Sequence, residues 1–590
     1  MLSQLLVNVV MGRTPADLVI KNGRWVCVQT GEIIPKTDIA VVDGHIAYVG
    51  ENADHTIGMQ TEVLDAGGRY LVPGLLDAHM HVESGMVTIS EFVRAVVPHG
   101  TTGMFVDPHE IANVFGLKGV KLMVDEAAAQ LVHVFVQAPS CVPSAPGMET
   151  PGATISPADV AEAMTWPGII GLGEMMNFPG VIASDEKMHA EMHSTRHANK
   201  TTGGHYASLD LGLPFHAYAA GGPEDDHEGT RPEDAIARAR QGMKVMMRYG
   251  SSWHDVVTQM KAVTKYGLDP RHFLLCTDDC HAETLANDGH IDRVVRHAIG
   301  EGLAPMTAIQ MATINSADHF GVSRDMGQIA PGRWADILFV DDLKNFQAQT
   351  VIAKGKLVSR DGKFLAQIPA YPYPAWAKNS THLPRTIIAQ DFRIPVDDQS
   401  PEVTAHVIGV IENQAPTKHL TLKMKPENGE LRPNISRDIA KIALIERHRD
   451  TGAIQVALVS GFGFTNKCAV ATTVSHDCHN MLIVGTDEAS MAVAANRLKE
   501  TGGGQVVVRN GTIIGEVQLP IAGLMSNQPV EIVAREAASV LDGFKLCGSE
   551  LNSPNMQLAL LGLVVIPELR ISDKGLVDVN KFEFIPVFEK

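Results

Sequence analysis

At 590 residues the chain is too long for one hydrophobic core, and about three or four domains are expected. A composition of 45% hydrophobic and 20% charged residues is that of an ordinary globular protein. The 49 Lys and Arg against 67 Asp and Glu give a formal net charge of −18, which argues against nucleic acid held by its phosphates and suits a small neutral or cationic substrate, although solubility alone accounts for it.

The N-terminal stretch MLSQLLVNVVMGRTPADLVIKNG has no basic segment ahead of an apolar one, so no signal peptide is expected. No run of about 18 apolar residues follows anywhere, so no membrane span is expected either. Seven cysteines (Cys27, Cys141, Cys276, Cys280, Cys468, Cys478, Cys547) are scattered and include no CxxC, which places the chain in a reducing, cytoplasmic compartment.

Residues 1–70 read mostly as short strands, with Asn22-Gly23 and Asp43-Gly44 as hairpin turns. A matching β segment, 326–380, contains GRWADILFV and VIAKGKLVSRDGKF. The two flanks are expected to build one small β-sandwich. Between them, residues 71–325 alternate strand and helix patterns. LVPGLLDAHMHVESGM (71–86) is an apolar strand ending in a polar cluster. It is followed by TTGMFVDPHE (101–110), HVFVQAPSC (133–141), GIIGLGEMM (168–176), TTGGHY (201–206), DDHE (225–228), MKVMMRY (243–249) and HFLLCTDD (272–279). Eight such units over about 250 residues predict an α/β fold of the (β/α)8, TIM-like barrel type. Pro369, Pro372, Pro374 and Pro384 then mark a boundary, beyond which 385–590 reads as a C-terminal α+β domain with a helix over 488–500 and a hairpin at Asn510-Gly511.

The polar residues fall where this fold places chemistry, at the C-terminal strand ends. His79, His81, Glu174, His205, His227 and Asp278 all occupy that position. Alternate residues of a strand project the same way, so His79 and His81 stand side by side and are able to share one metal ion. Buried without partners, six such groups would cost several kcal/mol, a cost that a metal pair joined by a carboxylate removes. Asp107, His109 and Glu110 form a second cluster, read as orienting the histidines or touching substrate. The Ser140-Cys141-Val142-Pro143 loop is read as a rigid loop ahead of a pocket wall.

Other features read as structural. His189, His193 and His197 share a helix face in a polar stretch, best explained as solvated. Cys276 belongs to an apolar strand and is expected in the core, although Cys276 and Cys280 flank Asp278. Gly461-Phe462-Gly463 and Thr501–Gly504 lack the lysine and context of a phosphate loop and read as turns. Ser475-His476-Asp477-Cys478-His479-Asn480 is a polar knot after an apolar strand. It reads as a hydrogen-bonded turn, with a second metal site or a cap over the barrel mouth as the alternatives.

Taken together, PGLLDAHMHVESGM, VDPHEIANV, QAPSCVPSAPG, GLGEMMNFPGV, GGHYA, DDHEGT and LLCTDDCH resemble the amidohydrolase superfamily, and with SGFGFT, TVSHDCHN, VVRNG and LPIAGLMS the bacterial adenine deaminase family within it. The superfamily resemblance covers roughly 17–375 and the narrower one extends to the C-terminus. It implies a binuclear centre of Mn(2+) or Fe(2+), with Zn(2+) also permitted. His79 and His81 would hold one ion, His205 and His227 the other, with Glu174 bridging and Asp278 beside the first. Many amidohydrolases bridge with a carboxylated lysine, and here Glu174 stands in that place. The resemblance further implies hydrolytic deamination of adenine to hypoxanthine and ammonia by a metal-activated hydroxide attacking C6. Asp278 would move the water's proton, and Glu83 or Glu110 would protonate the ring. Glu83 reads equally well as a structural hydrogen-bonding group. A homo-oligomer, as a dimer, is the superfamily expectation. The alternatives are a cyclic-amide hydrolase on the same barrel, which usually carries the lysine that is absent here, or a non-catalytic scaffold, which should have lost ligands.

Overall fold

Apolar runs ending in polar residues become a series of parallel strands in the computed structural model, which describes residues 1–396 and 401–589. They are β1 (Leu75–His81), β2 (Thr101–Val106), β3 (His133–Ala138), β4 (Ile169–Met175), β5 (Thr201–Gly204), β6 (Asp225–Asp226), β7 (Lys244–Arg248) and β8 (Phe273–Cys276). β1 to β5 pair in sequence within one sheet and β6 to β8 within another. Beyond β8, Asp278 and Asp279 pair with Met80 and His81 of β1, and Glu224 N–H donates to the Thr202 carbonyl at 2.9 Å between β5 and β6. The result is a curled parallel sheet of the TIM-like barrel kind.

Period-two alternation decides which side chain goes where. In β2, Met104 and Val106 pack outward among the helices, while Phe105 joins an inner cluster with Leu76, Ala78, Met246, Leu274 and Cys276. Cys276 is therefore core, as its strand context predicts. Helices follow the strands, and Ile89–Val96 buries Ile89, Phe92, Val93 and Val96 on one face. Glu186–His197 starts where Asp185 accepts from Lys187 N–H (2.9 Å) and Met188 N–H (3.2 Å), a side-chain cap. His193 and His197 on this helix are exposed, as a solvated face requires.

Both flanks of the barrel meet in one nine-stranded sheet. Tyr70–Pro73 from the N-terminal side pairs antiparallel with Ile337–Val340 from the C-terminal side. Asp43-Gly44 is a hairpin turn, with φ of 50° and 73°, between Glu32–Val42 and His45–Gly50. Asn22-Gly23 is not. The strand Leu18–Cys27 runs straight through it, with a register shift on either side of Gly23. The reason is that one long partner, Glu32–Val42, pairs along the whole strand, so the extra residue is absorbed as a bulge. A side chain at 23 would meet Leu71 at 2.2 Å, which explains the glycine.

The C-terminal domain is a second nine-stranded sheet, with helices Glu488–Thr501 and Val530–Cys547. Asn510-Gly511 forms the expected hairpin turn. The domain is stitched to the barrel just after β1: Thr88 N–H donates to Ser526 O (3.1 Å) and Ser526 N–H to Met86 O (2.8 Å). This puts it over the strand ends that carry the polar residues. Among the described residues, no helix is long and apolar enough to cross a membrane.

Candidate metal centre and active site

All six residues expected at the centre are brought together, five of them buried and His205 half-buried. His79 and His81 leave β1 on the same side, as a strand requires. The His81 Nδ1–H donates to the Asp107 carbonyl at 2.8 Å, which fixes the ring and leaves Nε2 facing the cluster. Glu174 is held from behind, where its N–H donates to Asp107 Oδ2 at 2.8 Å. A side chain at Gly173 would meet that oxygen at 2.2 Å, so the glycine admits the carboxylate. His227 follows Asp226, which is locked by the buried Arg238 at 2.7 Å.

Asp278 has φ near +60°, a left-handed conformation that costs a non-glycine residue about 1–3 kcal/mol. Its neighbour Thr277 is pinned to Asp77 through N–H (3.1 Å) and Oγ1–H (2.6 Å), and His290 Nε2 lies 3.0 Å from the same carboxylate. This anchoring keeps the strained residue aimed inward.

The two oxygens of Glu174 face different groups. Oε1 lies 3.7 Å from His81 Nε2 and 3.3 Å from His109 Nδ1, whereas Oε2 lies 2.6 Å from His205 Nδ1 and 3.0 Å from His227 Nε2. Asp278 Oδ1 is 3.3 Å from His81 and 3.7 Å from His79, and the His79 and His227 rings stack at 4.2 Å. His79 Nε2 is buried with no hydrogen-bond partner among the described residues. Several triads within this set are close enough to share an ion: His79, His81 and Glu174; Glu174, His205 and His227; His79, His227 and Asp278. A donor set of imidazole nitrogens and carboxylate oxygens without thiolate fits divalent first-row ions.

Burial works against ionisation of Asp278, but the His81 hydrogen bond and the His227 and Arg248 charges outweigh it and hold the carboxyl far below its ordinary range. Around it the trend reverses. Burial, and then the Glu174 charge, push Asp107 up to about 7. Burial, with Glu83 and Asp279 nearby, pushes Glu110 well above the carboxylate range, and burial also raises Glu83. Glu83 Oε1 accepts the Ile111 N–H at 3.2 Å.

Sequence reasoning missed Arg248, at the end of β7. It pairs with Glu228, with Asp255 at 2.6 Å and with Asp278 Oδ2 at 3.1 Å. An arginine closing the apolar run MKVMMR was the available signal. Ser140 does not line the cavity at the barrel mouth. Its hydroxyl donates to Glu174 O at 2.7 Å, in keeping with a rigid loop. A cavity of about 380 Å³ lies at the barrel mouth, lined by Glu83, Glu110, Trp253 and His281 from barrel loops and by His476 and Gln557 from the C-terminal domain.

Residues 70–358 match the amidohydrolase family and residues 414–583 the adenine deaminase C-terminal domain. "Adenine deaminase 3" of Rhizobium meliloti (strain 1021) is 60% identical over 98% of this chain and 97% of that protein. The "Adenine deaminase" of Mesorhizobium japonicum is 59% identical over 99% and 96%, and that of Moorella thermoacetica 48% over 98% and 97%. The chain belongs to the adenine deaminase family. It is an amidohydrolase, a metal-dependent hydrolase by family, and the clustered imidazoles and carboxylates described above include groups able to hold a metal ion.

Proposed function

We propose that the chain hydrolyses adenine to hypoxanthine and ammonia, a purine-salvage reaction, with two divalent ions at the cluster. The observation that carries this reading is the division of Glu174, one oxygen towards His81 and the other towards His205 and His227, beneath a C-terminal domain of the adenine deaminase type. In this reading His79 and His81 would hold one ion and His205 and His227 the other, with Glu174 shared between them and Asp278 beside the first. Mn(2+) or Fe(2+) is favoured, and the donors also suit Zn(2+). Bound there, the ions supply Lewis acidity and bring the pKa of a water towards neutrality. We read 1–70 and 326–380 as one small sandwich, 71–325 as the catalytic barrel, and 385–590 as the domain that closes its mouth.

The chain's own groups handle the protons. Asp278 stays ionised, accepts the proton of the attacking water and returns it to the departing ammonia. Arg248 holds the other Asp278 oxygen and so aims the one that works. The ring nitrogen beside C6 gains its proton from Glu110, which burial keeps protonated. Glu83 is committed to the Ile111 amide and shapes the wall beside it. Asp107 fixes both the Glu174 backbone and the His81 ring.

The test is ammonia release from adenine by protein purified with manganese under iron chelation, compared with Asp278→Asn. Turnover that falls by about 10²–10⁴ in the variant is expected. A wild-type protein with two bound metals and no adenine turnover would keep the metal centre and overturn the substrate.

A further inference from the structure

The polar turn Ser475–Asn480 has no part in the chemistry above, yet it is fixed with unusual thoroughness. Buried Arg447 donates to the His479 carbonyl, to Ser380 Oγ at 3.0 Å and to Ala522 O at 2.9 Å. His448 Nε2–H donates to Cys478 O at 2.7 Å, His476 N–H to Ala559 O at 3.1 Å, and Asn480 Nδ2 to Thr150 O at 3.1 Å on the barrel side. The backbone is thus tied to both domains. The His476 ring stands on the cavity wall with Glu83 and Glu110. The two carboxylate oxygens beside it, Glu110 Oε1 at 3.9 Å and Asp477 Oδ1 at 3.8 Å, lie beyond hydrogen-bond reach. Ligand-capable atoms of His476, Asp477 and His109 lie within 4.8 Å of one another, and His109 Nδ1 is 3.3 Å from Glu174. His476 therefore sits one residue away from the metal-binding cluster, facing the space a bound ring would fill.

We propose that His476, delivered by the C-terminal domain, is a specificity-determining residue that hydrogen-bonds a ring nitrogen of the bound purine. The inference rests on the adenine reading and gives the C-terminal domain a part in substrate recognition. A flat heterocycle over the centre meets Glu110 on one edge, and the imidazole is the next polar group along the same wall. A site built to hydrogen-bond its substrate discriminates against ligands lacking the partner atom, because its own largely desolvated group is then left unpaired.

The experiment measures steady-state kinetics of ammonia release and metal content for wild type, His476→Ala, His476→Phe and His476→Asn, all loaded with manganese. The Ala and Phe variants should raise KM for adenine by about tenfold with kcat and metal content little changed, and Asn, which keeps a polar atom near the Nδ1 position, should recover most of the loss. Phe fills the ring's volume, so it carries the test if the Ala variant does not fold. An unaltered KM in the Phe variant overturns the inference, as does a fall in kcat together with metal content. A wild type inactive on adenine overturns the inference and the adenine reading together, whereas an active wild type with an indifferent Phe variant overturns the inference alone.

Discussion

Glu83 and Glu110 line one cavity, yet they are held differently. Glu83 accepts a backbone N–H, while Glu110 sits among other acids with burial opposing its ionisation. A group kept protonated in this way is a proton donor at neutral pH. Glu110→Gln should therefore lower kcat by about 10²–10⁴, the range of general acid catalysis, with KM changing little. Glu83→Gln should shift KM more than kcat, because its amide still accepts the Ile111 N–H. Steady-state ammonia release separates the two, and the opposite ranking would exchange the roles. Asp278 shows the same principle in the other direction: a basic group has to stay ionised, and the neighbouring His81, His227 and Arg248 keep it so.

The helix Glu186–His197 shows how a single acid loads an element. Glu191 is buried, both its oxygens lack hydrogen-bond partners among the described residues, and Lys187 Nζ comes only to 3.8 Å. Burial pushes its carboxyl up to about 8. With the folded pKa above the unfolded one, the stability it contributes is complete below the unfolded pKa of about 4.3 and is lost as pH rises towards 8. Glu191→Gln is neutral throughout. It should match wild type near pH 4 and be more stable above pH 8 by on the order of 5 kcal/mol, read from urea midpoints at the two pH values. Equal midpoints at high pH would place a compensating charge beside Glu191.

At the scale of the molecule, the two large domains share one apolar core. Val87, Phe92 and Leu285 of the barrel belong to the same cluster as Leu519, Val533, Val540 and Leu558 of the C-terminal domain. Cutting the chain after residue 380 should expose that surface and leave a barrel that aggregates, since large contiguous apolar patches are rare on soluble proteins. Solubility and circular dichroism of the truncated chain check this. A soluble fragment with wild-type turnover would show the C-terminal domain to be dispensable for both core and catalysis.

The sequence by itself determined the periodic parts. Apolar strands with period two put Asp77, His79 and His81 on one side of β1, and the rule that barrel chemistry sits at C-terminal strand ends picked out Glu174, His205, His227 and Asp278. Asp43-Gly44 and Asn510-Gly511 were legible as turns because two residues with positive φ suffice to make one. Asn22-Gly23 carries the same local signal and failed, because the choice between a turn and a bulge depends on which strand lies alongside, and Glu32–Val42 runs past it unbroken. The remaining features needed tertiary structure for the same reason. Arg248 gains its meaning from Glu228, Asp255 and Asp278, distant acids that only the closed fold brings to one guanidinium. His476 lies 366 positions from Glu110, and the polar knot around it left a turn, a metal site and a cap over the barrel mouth all open until the packing of the two domains put the ring on the cavity wall. Local sequence sets where side chains point, whereas packing between domains sets what they point at.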